Sequence, residues 1–327
     1  MNVELVAIQL EIDAGVLASH DAYRRHLDGA ADRALASSRA DTRFVVFPEV
    51  AGHLALYALA GPVAHRAKTL SGALAAAALR RPLDVLRGVA TARRLDGRHA
   101  VLAALAPDGE RWWRSVFGPL ARRHRAYVVA GSHLRLGLNG ALTNASMLFD
   151  PDGSLIATTD KVNLVPGMED AAKGGLALAR GDSSSVPIAT TPFGKVATLI
   201  CYDGFREPHT HHERFIAMGG ALGARGGVAI VANPAANPWP WQGPWKFADP
   251  GETLSRAEQW ECEGLPATLA ETPFARWGVT AHLVGHVLDL QFDGVSEILE
   301  RTGAGVRKLA RAERPDRGCH VTATISC

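Results

Sequence analysis

Short apolar runs alternate with helix-spaced apolar positions along the first half of the chain. Residues 3–10 and the run RFVVF before Pro48 predict two buried strands, because proline cannot continue the hydrogen bonding of a strand. Between them, apolar residues recur every three or four positions over residues 21–38 and predict a helix. This order of elements is typical of a sheet covered by helices.

Turn residues between apolar runs predict hairpins in the second half. DPDG at 150–153 and TPFG at 191–194 are typical turn sequences. The second turn leads into KVATLI, a strand that ends directly before Cys201. The remaining predicted strands are 127–132, 145–149, SLIATT, GVAIVAN, AHLVGHVLDL, GVSEIL and HVTATI, and the remaining predicted helices are 207–222 and 253–264.

Residues 52–120 differ from the rest of the chain, because they are rich in alanine, leucine and arginine and contain no strand pattern. Their helical patches predict a helical insertion packed on the main layers, with the arginines facing solvent. A membrane-surface role is the alternative interpretation of this region. The whole chain, 1–327, is otherwise predicted to be a single domain of mixed sheets covered by helices.

Composition narrows the possible classes of function. The chain has 327 residues, of which 47% are apolar, and its formal charge of +2 gives no bulk attraction to nucleic acid or to an anionic membrane. The longest uncharged apolar stretch, VAGHLALYALAGPVA, is shorter than the roughly 20 residues of a membrane span. We therefore expect a soluble, cytoplasmic protein with no nucleic-acid partner.

The four cysteines lie at positions 201, 262, 319 and 327. No two form a CxxC pair, and no cysteine–histidine spacing matches a structural zinc site. The sequence predicts reduced thiols and neither a metal nor a cofactor.

Three reactive side chains each follow a predicted buried strand. Glu49 follows RFVVFP, Lys161 follows SLIATTD, and Cys201 follows KVATLI. A thiol is mostly protonated at pH 7, so a carboxylate beside it can act as general base. A lysine ammonium can stabilise the negative charge that attack on an amide or nitrile creates. The backbone N–H of Tyr202 is a second candidate donor, if a helix begins soon after the cysteine.

The ordered motifs VVFPE, DKVNLVPGMED and LICYD resemble those of the nitrilase superfamily of carbon–nitrogen hydrolases. The resemblance implies an αββα sandwich, with Glu49 as general base, Lys161 as oxyanion stabiliser and Cys201 as nucleophile. It also implies that Glu169, eight residues after the lysine, supports that lysine in the pocket.

The fragments NASMLFDPDGSLI, TPFGKVATLICYD and FDGVSEIL extend the resemblance over roughly residues 2–50 and from 127 to the end, so residues 52–120 lie outside it. The resemblance implies at least a homodimer joined through helices near the nucleophile, and the predicted helix 207–222 is the candidate.

Several substrates are compatible with this chemistry. Tyr202-Asp203 after the cysteine is similar to the amidase-like branches, so a linear amide is the first expectation and a nitrile the second. An N-carbamoyl compound is less favoured, because Gly204 and Phe205 precede Arg206. Transfer of the acyl group to an amine is a further alternative. The tryptophan-rich loop 239–245 is either a wall of the substrate pocket or a rigid packed loop.

Two alternatives use other residues. HTHHE, with histidines from His209 to His212, suggests a metal-dependent hydrolase, although this spacing does not place them on one helix face. A cysteine–histidine protease would need His282 or His286 beside Cys201, yet both lie in a predicted apolar strand. A non-catalytic scaffold is the third alternative, and it would be expected to lack one member of the triad.

Overall fold

Two β-sheets packed face to face form the centre of the molecule in the computed structural model, which describes residues 1–61, 64–92, 97–171, 174–248 and 251–327. The strands are β1 (Asn2–Ile12), β2 (Thr42–Val46), β3 (Ala126–Val129), β4 (His133–Leu136), β5 (Leu142–Phe149), β6 (Leu155–Asp160), β7 (Ala189–Thr191), β8 (Gly194–Thr198), β9 (Val228–Ala236), β10 (Ala275–Val287), β11 (Leu290–Phe292), β12 (Glu297–Thr302), β13 (Gly305–Arg311) and β14 (Cys319–Ser326).

The two sheets meet along one pair of strands. β1 to β6 and β14 form the first sheet, and β7 to β13 form the second. The end of β1 runs parallel to β10, with Leu10 opposite Leu283 and Ile12 opposite Gly285. This contact joins both sheets into one continuous hydrogen-bonded system.

Alternation along β1 explains how the layers pack. Val3, Leu5 and Ala7 point between the two sheets, whereas Val6 and Ile8 point to the outer face. All five side chains are buried, because helices cover that outer face. A strand buried on both faces reads as an almost continuous apolar run, which is what residues 3–10 show.

Helices complete four layers. In the described part of the chain they are α1 (His20–Leu35), α2 (Ala51–Ala60), α3 (Leu70–Arg80), α4 (Pro82–Ala92), α5 (Gly97–His124), α6 (Met218–Ala224), α7 (Arg256–Glu263) and α8 (Leu265–Glu271). α1 and α5 pack on the outer face of the first sheet, and α6 and α8 pack on the outer face of the second. The predicted αββα sandwich is therefore confirmed.

The region predicted as an insertion is helical where it is described. α2, α3, α4 and most of α5 fall within it, while residues 62–63 and 93–96 lie outside the described residues. α5 is anchored to the first sheet by Trp113, whose Nε1 donates to the carbonyl of Ala130 at 2.8 Å. Within the described ranges no helix combines the length and the hydropathy that a membrane crossing needs. The insertion boundaries remain a prediction.

The predicted helix 207–222 is wrong. Only Met218–Ala224 is α-helical, and the preceding residues form an irregular segment. His209 stacks its ring 3.9 Å from that of Tyr202 and donates its backbone N–H to the Tyr202 hydroxyl. The backbone N–H of His209 therefore finds its acceptor in a side chain, whereas in a helix it would donate to the carbonyl four residues earlier.

Asn163 fixes the other end of this irregular segment. Its side chain accepts from the N–H of Ile216 at 2.9 Å and donates to the carbonyl of Ile216 at 2.8 Å. The predicted helix 253–264 is shorter than expected, at Arg256–Glu263, and Ser255 caps it in a capping box with Glu258.

Candidate active site

Glu49 lies just beyond the end of β2. The N–H of Phe47 still donates to the carbonyl of Val129 at 2.9 Å, and Pro48 then ends the strand pairing. Val50 turns the chain with φ of 67° before α2 begins. The Glu49 side chain is left pointing into the interior, where the residue is 3% exposed.

Lys161 lies just beyond the end of β6. Its backbone N–H donates to the carbonyl of Asn144 on β5 at 2.8 Å, which extends the strand pairing up to the lysine. Its Nζ donates to Glu49 Oε1 at 2.7 Å and to Glu169 Oε2 at 2.6 Å. The Lys161 and Glu49 side chains are 1% and 4% exposed, whereas that of Glu169 is 12% exposed.

Cys201 begins a short 3-10 turn, Cys201–Gly204, after β8. Its φ of +45° is a strained left-handed conformation for a residue other than glycine. Asn233 holds this bend, because its Nδ2 donates to the carbonyls of Leu199 at 2.7 Å and of Cys201 at 3.1 Å. The thiol lies 3.7 Å from the carbonyl oxygen of Ala236.

Strand direction explains why these three positions meet. β2, β1, β10, β9 and β8 are successive parallel neighbours, and β6 runs in the same direction because two antiparallel pairings separate it from β3. The carboxyl ends of β2, β6 and β8 therefore point to one end of the sandwich. Glu49, Lys161 and Cys201 each follow one of those ends.

Asn144 is a central residue of the site that the sequence analysis missed. Its Nδ2 donates to Glu49 Oε1 at 2.9 Å and to Glu169 Oε1 at 2.8 Å, so it bridges the two carboxylates. It lies on β5 and is fully buried. The sequence does contain an indication of this role, because Asn144 is a polar amide at the start of the apolar strand NASMLF. A buried amide needs hydrogen-bonding partners.

Asp203 is a second residue that the sequence analysis did not place in the site. Its carboxylate accepts from the N–H of Val162 at 3.1 Å and from the N–H of Asn163 at 2.6 Å. It therefore ties the segment after the lysine to the turn after the cysteine. Burial raises the pKa of Asp203 to about 7, although the Asn163 N–H and the Lys161 charge act in the opposite direction.

Burial and mutual charge set the ionisation of the cluster. Burial raises the pKa of Glu49, while the Lys161 charge and a hydrogen bond with Cys201 partly oppose this. Burial alone would lower the pKa of Lys161, but Glu169 and Glu49 outweigh it and hold that pKa well above the usual value. For Glu169 the Lys161 charge outweighs burial, so its pKa is lowered. Lys161 is therefore a permanent cation in this site.

The Cys201 thiol is neutral at rest. Burial and the nearby Glu49 carboxylate raise its pKa, and the charge of Lys161 only partly opposes them. Such a thiol needs a base to take its proton during attack. The Glu49 carboxylate lines the same cavity as the thiol and interacts with it electrostatically.

The four predicted side chains line one cavity of about 330 Å³. His53, Trp239 and Arg256 line it as well, and the remaining wall is mostly leucine and alanine from α2, α3 and α5. Of the tryptophan-rich loop, only Trp239 lines the cavity among the described residues. Trp241 and Trp245 pack behind it against Trp260 and Arg256.

Tyr202 is the second residue of the 3-10 turn, and its side chain faces away from the reacting groups. Its ring contacts Phe205 and His209 in an aromatic cluster. The N–H of Asp203 donates to the carbonyl of Ile200 at 3.0 Å, whereas the N–H of Tyr202, at the start of the turn, has no partner within it.

The histidine alternatives find no support in the geometry. His209 is buried on Tyr202, whereas His211 and His212 are exposed. No group of three or more metal-ligating side chains occurs within the described ranges. His282 packs its ring against Trp241 and Trp260, and His286 is exposed.

Comparisons with known proteins agree with this architecture. A family model described as carbon-nitrogen hydrolase matches residues 7–208. A protein named Hydrolase C26A3.11 from Schizosaccharomyces pombe is 31% identical over 121 residues, which is 36% of this chain and 33% of that protein. The chain thus matches about a third of the length of that curated relative.

Solved structures share the fold over almost the whole chain. A carbon-nitrogen hydrolase from Helicobacter pylori G27 superposes with a TM-score of 0.64 at 15% identity, covering 99% of this chain and 88% of that one. An amidase from Nesterenkonia sp. superposes with a TM-score of 0.58 at 19% identity, covering 99% and 90%.

Proposed function

The chain belongs to the carbon-nitrogen hydrolase family of the nitrilase superfamily, and from this premise we propose that it hydrolyses a linear amide through a thioester on Cys201. The observation that carries the proposal is the shared cavity. Glu49 Oε1 accepts from the Lys161 ammonium at 2.7 Å, and the Cys201 thiol lines the same cavity, which supports their roles as base, cation and nucleophile.

In the first half of the reaction, Glu49 takes the thiol proton while the Cys201 sulfur forms a bond to the amide carbonyl carbon. The carbonyl oxygen becomes an oxyanion. Lys161 has three N–H donors, two of which are used by Glu49 and Glu169, and the third is directed to this oxygen together with the N–H of Tyr202. Losing one such donor typically raises the barrier by about 3–4 kcal/mol.

Collapse of this intermediate breaks the C–N bond. The departing nitrogen takes the proton from Glu49 and leaves as ammonia or an amine, and the acyl group remains on sulfur as a thioester. In the second half, Glu49 removes a proton from water as the water oxygen attacks the thioester. Breaking the C–S bond releases the acid, and the proton on Glu49 returns to the sulfur.

A nitrile is the second candidate substrate, because the same thiol attack on carbon would place negative charge on nitrogen near Lys161. The geometry gives less support to an N-carbamoyl acid held by Arg206. The Arg206 guanidinium is paired at the surface with Glu207 and Glu271, and it does not line the described cavity.

The proposed compartment is the cytoplasm. All four cysteines are free, and the three apart from Cys201 are exposed. Exposed thiols persist in a reducing environment. Cell fractionation tests this, and recovery of the protein in an oxidising compartment contradicts it.

An ammonia-release screen over simple amides, nitriles and N-carbamoyl amino acids tests the reaction class. We expect release from amides by the natural protein and none by Cys201→Ala at equal folded concentration. Release by Cys201→Ala at the natural rate, or activity that a chelator abolishes, contradicts the thiol mechanism.

A further inference from the structure

Away from the charged cluster, the cavity is walled by hydrocarbon. α3 contributes Ala73, Leu74 and Ala77, and α5 contributes Leu102 and Leu105. These side chains have no hydrogen-bonding atom. A polar substrate group placed against them would lose its water without gaining a partner, which is unfavourable. This wall therefore favours an apolar group.

The polar groups near Cys201 are already engaged with one another. Asn144 joins Glu49 to Glu169, and the His53 ring lies 3.2 Å from Asn144 Oδ1. Burial lowers the pKa of His53 to about 4, so its ring is neutral at pH 7. The polar groups near Cys201 thus offer the scissile group of a substrate the thiol and one ammonium hydrogen. They offer the rest of the substrate little polar contact.

The two arginines that line the cavity are engaged elsewhere. Arg98, in the first turn of α5, donates to the carbonyl of Gly174 at 2.9 Å. Arg256, on α7, donates to Asn237 Oδ1 at 2.8 Å and stacks on Trp245 with its Cζ 4.2 Å from the ring centre. The residues that α3 contributes are all apolar.

We propose that this wall binds the acyl chain of the substrate, so that the substrate class is the amides of medium-length or branched aliphatic acids. The inference rests on the proposed amide hydrolysis and adds the chemistry of the acyl part. With the carbonyl carbon at Cys201, the hydrocarbon extends along Ala73 and Ala77, which share one face of α3. The volume of about 330 Å³ is within the range of small-ligand pockets.

The length of the acyl chain provides a quantitative test of the proposal. Each methylene group moved from water into this wall improves binding about fourfold. We therefore expect kcat/KM, measured by ammonia release, to rise about fourfold per added methylene through acetamide, butyramide, hexanamide and octanamide until the cavity is full. Values that are flat or fall from acetamide onward would overturn the acyl-chain proposal.

Matched variants on α3 locate the effect. Ala77 is buried and lines the cavity, whereas Ala75 on the same helix is exposed. Ala77→Phe fills the wall, so we expect the ratio of kcat/KM for octanamide to kcat/KM for acetamide to fall at least tenfold. Ala75→Phe, the same substitution on the solvent face, should behave as the natural protein. Leu74→Ala enlarges the cavity and should move the preferred chain length upward.

The outcomes of these experiments distinguish the acyl-chain proposal from the proposed amide hydrolysis on which it rests. Hydrolysis of every amide without dependence on chain length overturns the acyl-chain proposal and leaves the reaction standing. Failure of the natural protein to hydrolyse any amide overturns both. Equal effects of Ala77→Phe and Ala75→Phe show that α3 is not the acyl wall. The chain-length series needs no variant, so the proposal is tested even if Ala77→Phe fails to fold.

Discussion

The proposed mechanism requires the Glu49 carboxylate to be ionised and yet basic enough to take the thiol proton. Burial raises its pKa above 4.5, the usual value, and Lys161 keeps that increase from being larger. The ionised form accepts the thiol proton, so activity should be lost as the pH falls through this raised pKa. We expect the acid limb of the kcat/KM–pH profile to have its midpoint above 4.5.

Substitution of Glu49 provides a second test of which group is the base. Glu49→Gln keeps the shape of the side chain but removes the base, so it should abolish turnover across the whole profile. An acid limb at or below the ordinary glutamate value, or a Glu49→Gln variant with normal activity, would show that another group takes the proton.

Asn144 is expected to position both carboxylates. Asn144→Ala removes one donor from Glu49, which is buried, and one from Glu169, which is half-buried. We expect the free energy of unfolding to fall by about 1–3 kcal/mol and kcat to decrease, because an unpaired buried acceptor is costly. Chemical denaturation and amide turnover measure the two effects.

Asn139, in the exposed turn before β5, provides the comparison. Its side chain accepts from the nearby Ala141 N–H at 3.1 Å, in an exposed turn away from the carboxylates, so Asn139→Ala should leave kcat unchanged. If Asn144→Ala matched this control in both measurements, the carboxylates would not depend on the amide bridge.

At the scale of elements, Asp203 joins two segments that are distant in sequence. Asp203→Ala would leave the N–H groups of Val162 and Asn163 without their acceptor, so we expect the free energy of unfolding to fall by about 1–3 kcal/mol. We also expect lower kcat/KM, because Lys161 directly precedes this tie. Asp182→Ala, at an exposed turn, is the control, and equal unfolding curves for the two variants would contradict the assignment.

Elements were predictable where local pattern and tertiary packing agree. β1, β2 and α1 agree with the pattern to within a few residues, since their apolar positions both form the element and face the core. The segment 207–217 was not predictable, because its structure depends on Tyr202 and Asn163, which belong to other segments. β13, which has no buried residue, lacks the apolar pattern that would have identified it.

At the scale of the whole molecule, the site depends on the parallel direction of β2, β6 and β8. The sequence pointed to Glu49, Lys161 and Cys201 because each follows a predicted buried strand, and the family resemblance implied Glu169. It did not point to Asn144, because a bridging role becomes visible only when β5 is seen between the two carboxylates.

Subunit number also belongs to this scale, and the proposal of a homodimer or larger homo-oligomer rests on the family resemblance. We expect multi-angle light scattering to give at least twice the mass of one chain at micromolar concentration. Of the predicted joining helix 207–222, only Met218–Ala224 is helical, so the proposed contact would involve other surfaces too. A monomer across the concentration range contradicts the proposal.

The most direct test of the account is to find the acyl group on sulfur. Rapid acid quenching of turnover with an amide, followed by intact-mass and peptide mass spectrometry, should find one acyl group per chain on the peptide containing Cys201 and none in Cys201→Ala. Amide turnover by the natural protein with Cys201 unmodified throughout, and equal turnover by Cys201→Ala, would contradict it.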